Sequence, residues 1–309
     1  MTRATTLIHH PLTPDDAVAM TAIRASMPPT RLTFSPAIRE VFDQIMLQTP
    51  AAQGVTAEAG EVGGVPGWWL RPAEAQPGAA VLYLHGGGYV VGSARSSAPL
   101  AGQIAAHAGV AVFTAGYRLA PEHPFPAAGD DALAAYRGLA AQGFTAIALA
   151  GDSAGGGLAL TTLARAATAA RHGRVPVPRG AVGLSAWVDL TLSSPSFQTR
   201  ADADPLLSGE SLGKAAAQYL AGHDSRDPQA SPVSGDLSGL PPVRLHVGED
   251  EVLLDDSVRY AERLVAAGGE ATVHIWAGMT HVFPSSIGTL AAADAALADI
   301  GDFLRERLG

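Results

Sequence analysis

A serine framed by small residues stands near the middle of the chain. Gly151-Asp152-Ser153-Ala154-Gly155 follows the apolar run Ala146–Ala150 and precedes an alanine- and leucine-rich stretch from Leu158 to Ala170. That order predicts a strand, a tight turn and a helix. A nucleophile lifted clear of a sheet sits on strained backbone, and Gly151 and Gly155 leave room for such a turn. The N–H groups and positive dipole end of the following helix would face negative charge developing at Ser153 during acyl transfer. So short a pattern also fits a glycine-rich turn with an incidental serine, so the chemistry depends on whether partners exist.

A serine hydroxyl needs a base to take its proton, and that base needs an acid to orient it. Ten histidines are available. His281, in Gly278-Met279-Thr280-His281-Val282-Phe283-Pro284, falls after the last predicted strand and before the last helix, where the base belongs when the order is serine, acid, histidine. His9 and His10 lie in a terminus expected to be mobile. His107, His172 and His223 read as surface or helix-end residues, and His246 and His274 as satisfied core or rim residues within strands. The acid belongs at the end of the preceding strand, where Glu249, Asp250, Glu251, Asp255 and Asp256 are five candidates. Chemistry alone does not choose among them.

An oxyanion needs N–H donors from a second loop, and His85-Gly86-Gly87-Gly88 after the strand Ala79–Leu84 supplies them with no side chains in the way. The run lacks the lysine-serine ending of a P-loop and the spacing of a dinucleotide fingerprint, so phosphate binding is the weaker interpretation. His85 is expected to position the loop rather than to take a proton. No His or acid cluster has metal-ligand spacing such as H-E-x-x-H, so neither a metal nor a cofactor is implied.

These loops require a sheet to hold them. Thr13-Pro14-Asp15-Asp16 predicts a helix start, with a capping hydroxyl, proline in the first turn and early acids, and the helix runs to about Ser26. A second helix from Ser35-Pro36 places Ile38, Val41, Phe42, Ile45 and Met46 on one face. Val55–Glu61 and Pro66–Arg71 read as an antiparallel pair. Buried strands near Ala79–Leu84, Val110–Ala115, Thr145–Ala150, Gly180–Trp187, Val243–Val247 and Ala271–Trp276 then alternate with helices near Ser96–His107, Ala127–Gln142, Ala154–His172 and Asp255–Ala267. Continuous apolar strands in alternation with helices predict an α/β fold with a mostly parallel sheet covered on both faces. The interval Val188–Leu240 breaks this rhythm and holds one helical piece, Ser208–Leu220, which suggests an inserted subdomain. A last helix, Leu290–Leu308, packs on the sheet.

The chain has 309 residues, is 47% apolar and carries a net charge of -9. A sizeable core is possible, and the acidic balance without basic runs argues against nucleic acid. No stretch of about 18 apolar residues and no signal-like start is present, so a soluble cytoplasmic protein with no membrane partner is expected. With no cysteine, disulfides, thiolate nucleophiles and cysteine-ligated metals are excluded.

Taken together, His85-Gly86-Gly87-Gly88, Tyr117-Arg118-Leu119-Ala120-Pro121-Glu122-His123-Pro124-Phe125-Pro126-Ala127 and Gly151-Asp152-Ser153-Ala154-Gly155 resemble the hormone-sensitive-lipase-like esterases of the α/β-hydrolase fold. The likeness continues through Trp187-Val188-Asp189-Leu190 and Ser231-Pro232-Val233, and within the family it is nearest to acetyl-esterases and monoterpene lactone hydrolases. The resemblance implies an eight-stranded sheet, a catalytic core over 51–187 and 236–309, N-terminal cap helices over 1–50 and a cap insertion over 188–235. It implies oxyanion donors at Gly87, Gly88 and Ala154. Where relatives have Asp-Pro-Leu, this chain has Glu251-Val252-Leu253, which puts Glu251 on the acid position with Asp250 in reserve and leaves Asp255 and Asp256 to cap the next helix. Phe34, Ile38, Trp187, Leu206 and Leu207 would line the substrate pocket or pack in the core, and Trp68, Trp69 and Trp276 would pack in the core or at the sheet rim.

The expected function is hydrolysis of short-chain carboxylic esters by Ser153, His281 and Glu251, without cofactor. Small lactones are an alternative substrate class and amides a further one. A ligand receptor on the same fold, like the plant gibberellin receptors that lack the histidine, is the alternative of another class. An exposed edge strand would allow a homodimer.

Overall fold

The structure, a computed structural model, describes residues 5–309. Among the described residues nine strands form one sheet: β1 (Thr6–His10), β2 (Val55–Val62), β3 (Val65–Pro72), β4 (Ala79–Leu84), β5 (Ala111–Ala115), β6 (Ala146–Asp152), β7 (Ala181–Leu184), β8 (Val243–Gly248) and β9 (Ala271–Trp276), in the order β1-β9-β8-β7-β6-β4-β5-β3-β2. β2 and β3 pair antiparallel, as does β3 with β5, and all other pairs are parallel. The helices are α1 (Pro14–Ser26), α2 (Arg39–Met46), α3 (Ala98–Ala108), α4 (Ala127–Ala141), α5 (Ser153–Arg171), α6 (Ser196–Thr199), α7 (Gly209–Leu220), α8 (Leu254–Ala266) and α9 (Ala291–Leu308).

The central parallel strands β4 and β7 are buried along their whole length because both faces are covered. Val81 and Tyr83 of β4, Val112 of β5 and Ala148 of β6 are buried with α3 and α9, whereas Leu82, Phe113 and Leu149 are buried with α4, α5 and α8. The alternation of period two along each strand thus separates two apolar layers. Among the described residues no helix is long and apolar enough to cross a membrane.

Register fixes where chemistry can occur. Leu84 pairs with Gly151, Asp152 with Leu184, Leu184 with His246, and Gly248 with Trp276. The loops that follow β4, β6, β7, β8 and β9 therefore leave the sheet along one edge, the carboxyl ends of the parallel strands, where open α/β sheets place their ligands.

The sheet has one strand more than the expected eight. β1 pairs with β9, and the ring of His10 stacks flat on Trp276 with centroids 3.7 Å apart, so the histidine expected in a mobile terminus is held at the sheet edge. Five largely exposed residues carry no alternating pattern to announce such a strand. β7 also ends at Leu184 rather than Trp187, because Ser185 adopts a left-handed φ of 51°. In α2, Val41 and Ile45 are exposed, and only Ile38 and Phe42 from that side join the core, so the apolar stripe is half used.

The first helix begins as its capping pattern predicts, with Thr13 Oγ1 accepting from the Asp16 backbone N–H at 3.1 Å. Asp16 itself is buried and accepts from the N–H groups of Ala291 and Ala292, capping α9 instead of its own helix. Met20 is buried with Trp276, Met279 and Phe283, a burial that contributes about 1.5–3 kcal/mol. The segment between α1 and α2 is bound to the chain between β7 and β8: Leu32 N–H donates to Leu206 O at 2.9 Å, and Gln218 Nε2 to Phe34 O at 3.0 Å.

Candidate active site

The elbow is built by steric necessity. β6 runs into α5 through Ser153, whose φ is 53°, a left-handed value that a side chain adopts only when its surroundings enforce it. A Cβ on Gly155 would lie 2.1 Å from Leu84 O, and one on Gly151 would lie 2.3 Å from Gly155 O, so neither glycine admits a side chain. Ser153 and Ala154 then occupy the first turn of α5, where N–H groups have no helical acceptor.

Asp152 links this turn to the glycine loop. Its Oδ1 accepts from Tyr83 Oη at 2.7 Å and from Gly86 N–H at 3.0 Å. Burial raises the Asp152 carboxyl above its ordinary range, and the bond from Tyr83, the charge on His85 and the bond from Gly86 work against that shift. The loop continues through Gly87 and Gly88 at φ 115° and 60°, both in the left-handed half of conformational space. Among the described residues neither N–H finds a protein acceptor. His85 lies behind the loop: its Nδ1 is 2.8 Å from Gly86 O, its ring stacks on Tyr117, and burial lowers its basicity.

The structure brings His281 and Glu251 together, with Nδ1 of His281 2.9 Å from Oε2 of Glu251. The other oxygen, Oε1, accepts from Ser185 Oγ at 2.8 Å and from Gly248 N–H at 2.6 Å. Glu251 is fully buried, and every carboxylate oxygen has a donor. Burial disfavours the charged form of His281, but the bond to Glu251 and its charge, followed by Asp204 and Asp152, outweigh it and raise the imidazole above its ordinary value. Asp250 has a separate partner, Arg24, at 2.6 Å.

Asp255 and Asp256 do not cap α8, whose N-cap position is Leu253 with no side-chain bond. Asp256 is buried and instead accepts from Val188 N–H at 2.9 Å and Asp189 N–H at 3.1 Å, so it fixes the chain soon after β7. Trp187, the residue before Val188, is fully buried, and its backbone N–H donates to Ser153 O at 2.9 Å. Phe34 and Leu207 are also buried, while Ile38 and Leu206 are partly so.

Sequence reasoning missed Ser185, Asp204 and Arg24. Ser185 also accepts from Val282 N–H at 3.0 Å, and Asp204 accepts from Val252 N–H at 3.0 Å. None belongs to a motif; each is a polar residue at a strand end, between β7 and β8 or on the first helix, and only the folded chain brings it to the site. A second unanticipated group is His246, His274 and Asp299, whose ligand atoms lie within 4.8 Å of one another at the far side of β8 and β9. Spacing in sequence did not announce it. The Arg244 guanidinium is already bound to Asp299 at 2.5 and 2.7 Å, supplying the positive charge there.

A family model described as the alpha/beta hydrolase fold matches residues 81–285, and the chain belongs to that family. Within it, the chain is a carboxylic ester hydrolase of the hormone-sensitive-lipase-like kind. It is 43% identical to an acetyl-hydrolase of Streptomyces hygroscopicus over 78% of this chain and 80% of the relative. It is 39% identical to an ethyl acetate hydrolase of Pseudomonas putida over 77% of each. Among solved structures, EstE5 soaked with p-nitrophenyl butyrate superposes with a TM-score of 0.86 at 40% identity, covering 96% of this chain and 99% of that one. An esterase of the bacterial hormone-sensitive lipase family gives 0.86 at 39% identity with the same coverage.

Proposed function

We propose that the chain hydrolyses short-chain carboxylic esters through Ser153, His281 and Glu251 by way of an acyl-enzyme. The observation that carries this reading is the buried Glu251–His281 pair at 2.9 Å, on loops leaving the same sheet edge as the left-handed Ser153. With Nδ1 engaged by Glu251, Nε2 of His281 is the nitrogen that takes the Ser153 proton. Ser153 Oγ attacks the ester carbonyl, and the N–H groups of Gly87, Gly88 and Ala154 hold the oxyanion. His281 returns the proton to the leaving alcohol; water, deprotonated by the same nitrogen, then releases the acid.

The preference for short chains is read from the relatives, of which one is an acetyl-hydrolase. The ethyl acetate hydrolase among the relatives supports the same substrate class.

The test is hydrolysis of p-nitrophenyl esters of increasing acyl length by the wild type and Ser153→Ala, with fluorophosphonate labelling of both. Activity on acetate or butyrate that disappears together with labelling in Ser153→Ala is the expected result. Wild-type turnover in Ser153→Ala would overturn the mechanism, and a preference for long acyl chains would overturn the substrate class.

A further inference from the structure

We propose that Arg24 is a positioning residue for the reaction: from the first helix it ties the insertion and the loop of the base to the loop of the acid. The inference rests on the reading of Glu251 and His281 given above.

Glu251 is held from both chain neighbours by residues outside the catalytic core. On one side, Asp250 Oδ2 accepts from Arg24 Nη2 at 2.6 Å. On the other, Val252 N–H donates to Asp204 Oδ2 at 3.0 Å, and Asp204 Oδ1 accepts from the N–H groups of Leu206 and Leu207 at 2.9 Å. Arg24 joins these two sides, since its Nη1 donates to Ala203 O at 3.0 Å, one residue before Asp204. Its Nη2 also approaches Gly278 O at 3.5 Å, and Asp250 N–H donates to Met279 O at 3.2 Å, so the loop leading to His281 is in the same network. Arg200 of the insertion stands 3.7 Å from Glu249, a weaker version of the same tie.

The side chains of Arg24 and Asp250 are 32% and 27% exposed, and a single ion pair at that exposure adds little to stability. What distinguishes Arg24 is the planar fork that reaches three segments at once. The helix that carries it is itself fixed, by Met20 packed on Met279 and Phe283 and by Asp16 on α9. A rigid element therefore sets the approach of Glu251 to His281, and acid–base geometry tolerates only about 0.5 Å of error. The charged groups around Asp250 are Arg24, Glu249, Arg200 and Asp204, and those around His281 are Glu251, Asp204 and Asp152.

Arg24→Met, Arg24→Lys and Asp250→Asn, singly and as Arg24→Met with Asp250→Asn, would be assayed with p-nitrophenyl acetate across pH, with active sites counted by fluorophosphonate. Arg24→Met is expected to lower kcat on the order of tenfold per active site, with KM within about twofold. The acid limb of kcat/KM should move to lower pH, because a displaced Glu251 supports the imidazolium less. Arg24→Lys should recover part of kcat, and the double variant should be no worse than Arg24→Met, since one contact is lost in each. Should Arg24→Met fail to fold, Asp250→Asn, which keeps the shape of the side chain, carries the same expectation. An unmoved acid limb with kcat within about twofold in the folded variants, or additive losses in the double variant, would overturn the proposal. A wild type that neither hydrolyses the ester nor labels at Ser153 would instead remove the reading on which it rests.

Discussion

Glu251 Oε2 lies 2.9 Å from His281 Nδ1, while the Glu251 chain neighbour Asp250 is bound to Arg24. Two adjacent acids thus have separate partners, one on His281 and one on the first helix. The longer glutamate side chain spans the gap to the base loop, and its second oxygen is held by Ser185 and Gly248, which limits the extra rotatable bond.

Exchange of the two acids should separate their tasks. Glu251→Gln keeps the shape but cannot support a charged His281, and kcat/KM should fall roughly 10²- to 10⁴-fold. Asp250→Asn should cost about tenfold, because it disturbs position and leaves the acid in place. Steady-state kinetics with p-nitrophenyl acetate decides the matter: equal losses, or a larger loss at Asp250, would reverse the assignment.

The pH profile has a definite sign. In the proposed mechanism His281 must be neutral to take the Ser153 proton, and its surroundings raise its pKa above the ordinary 6.5. Activity should therefore fall as pH drops through a value above 6.5, and in Glu251→Gln the residual activity should persist to lower pH. An acid limb of kcat/KM below 6.5 in the wild type would contradict the Glu251–His281 coupling.

The α/β layering was legible because both signals it depends on are local: apolar strands such as Ala79–Leu84, and turns such as Gly151–Gly155 whose glycines admit no side chain. Ser153 and His281 could be singled out for the same reason, since motif and chain order place them on strand ends. β1 was not legible, because its pairing with β9 brings together residues some 266 positions apart, as in Thr6 with Thr272. Asp256 illustrates a second limit. Two acids at a helix start read as caps, but burial of Asp256 against the N–H groups of Val188 and Asp189 is a tertiary event that local propensity does not encode.

Ser185 should couple stability to catalysis. Its hydroxyl donates to Glu251 Oε1 at 2.8 Å and accepts from Val282 N–H at 3.0 Å, so it joins Glu251 to the residue after His281. Ser185→Ala leaves a backbone N–H without that partner and should cost about 1–3 kcal/mol. kcat should fall on the order of tenfold, with KM little changed. Denaturant unfolding and kinetics on the same preparation test both, and wild-type kcat in a destabilised variant would confine Ser185 to a structural role.

Acid should loosen the sheet edge through the histidines of β8, β9 and β1. His10 Nε2 is 2.9 Å from His274 Nδ1, and His246 Nε2 is 3.0 Å from Asp299, with the Arg244 guanidinium among them. Burial, then the charge of His246, lowers His274 to about 3, and burial likewise lowers His246 and His10. A base whose folded pKa lies below its unfolded value favours the fold only while neutral. Its contribution is complete above pH 6.5 and is lost as pH falls from 6.5 toward the folded value, by at most about 1.4 kcal/mol per pH unit for each group. Urea unfolding at pH 7.5 and at pH 5 should therefore show a loss in the wild type that is smaller in His274→Gln, which cannot titrate. An equal loss in both proteins would show that His274 is not one of the groups responsible.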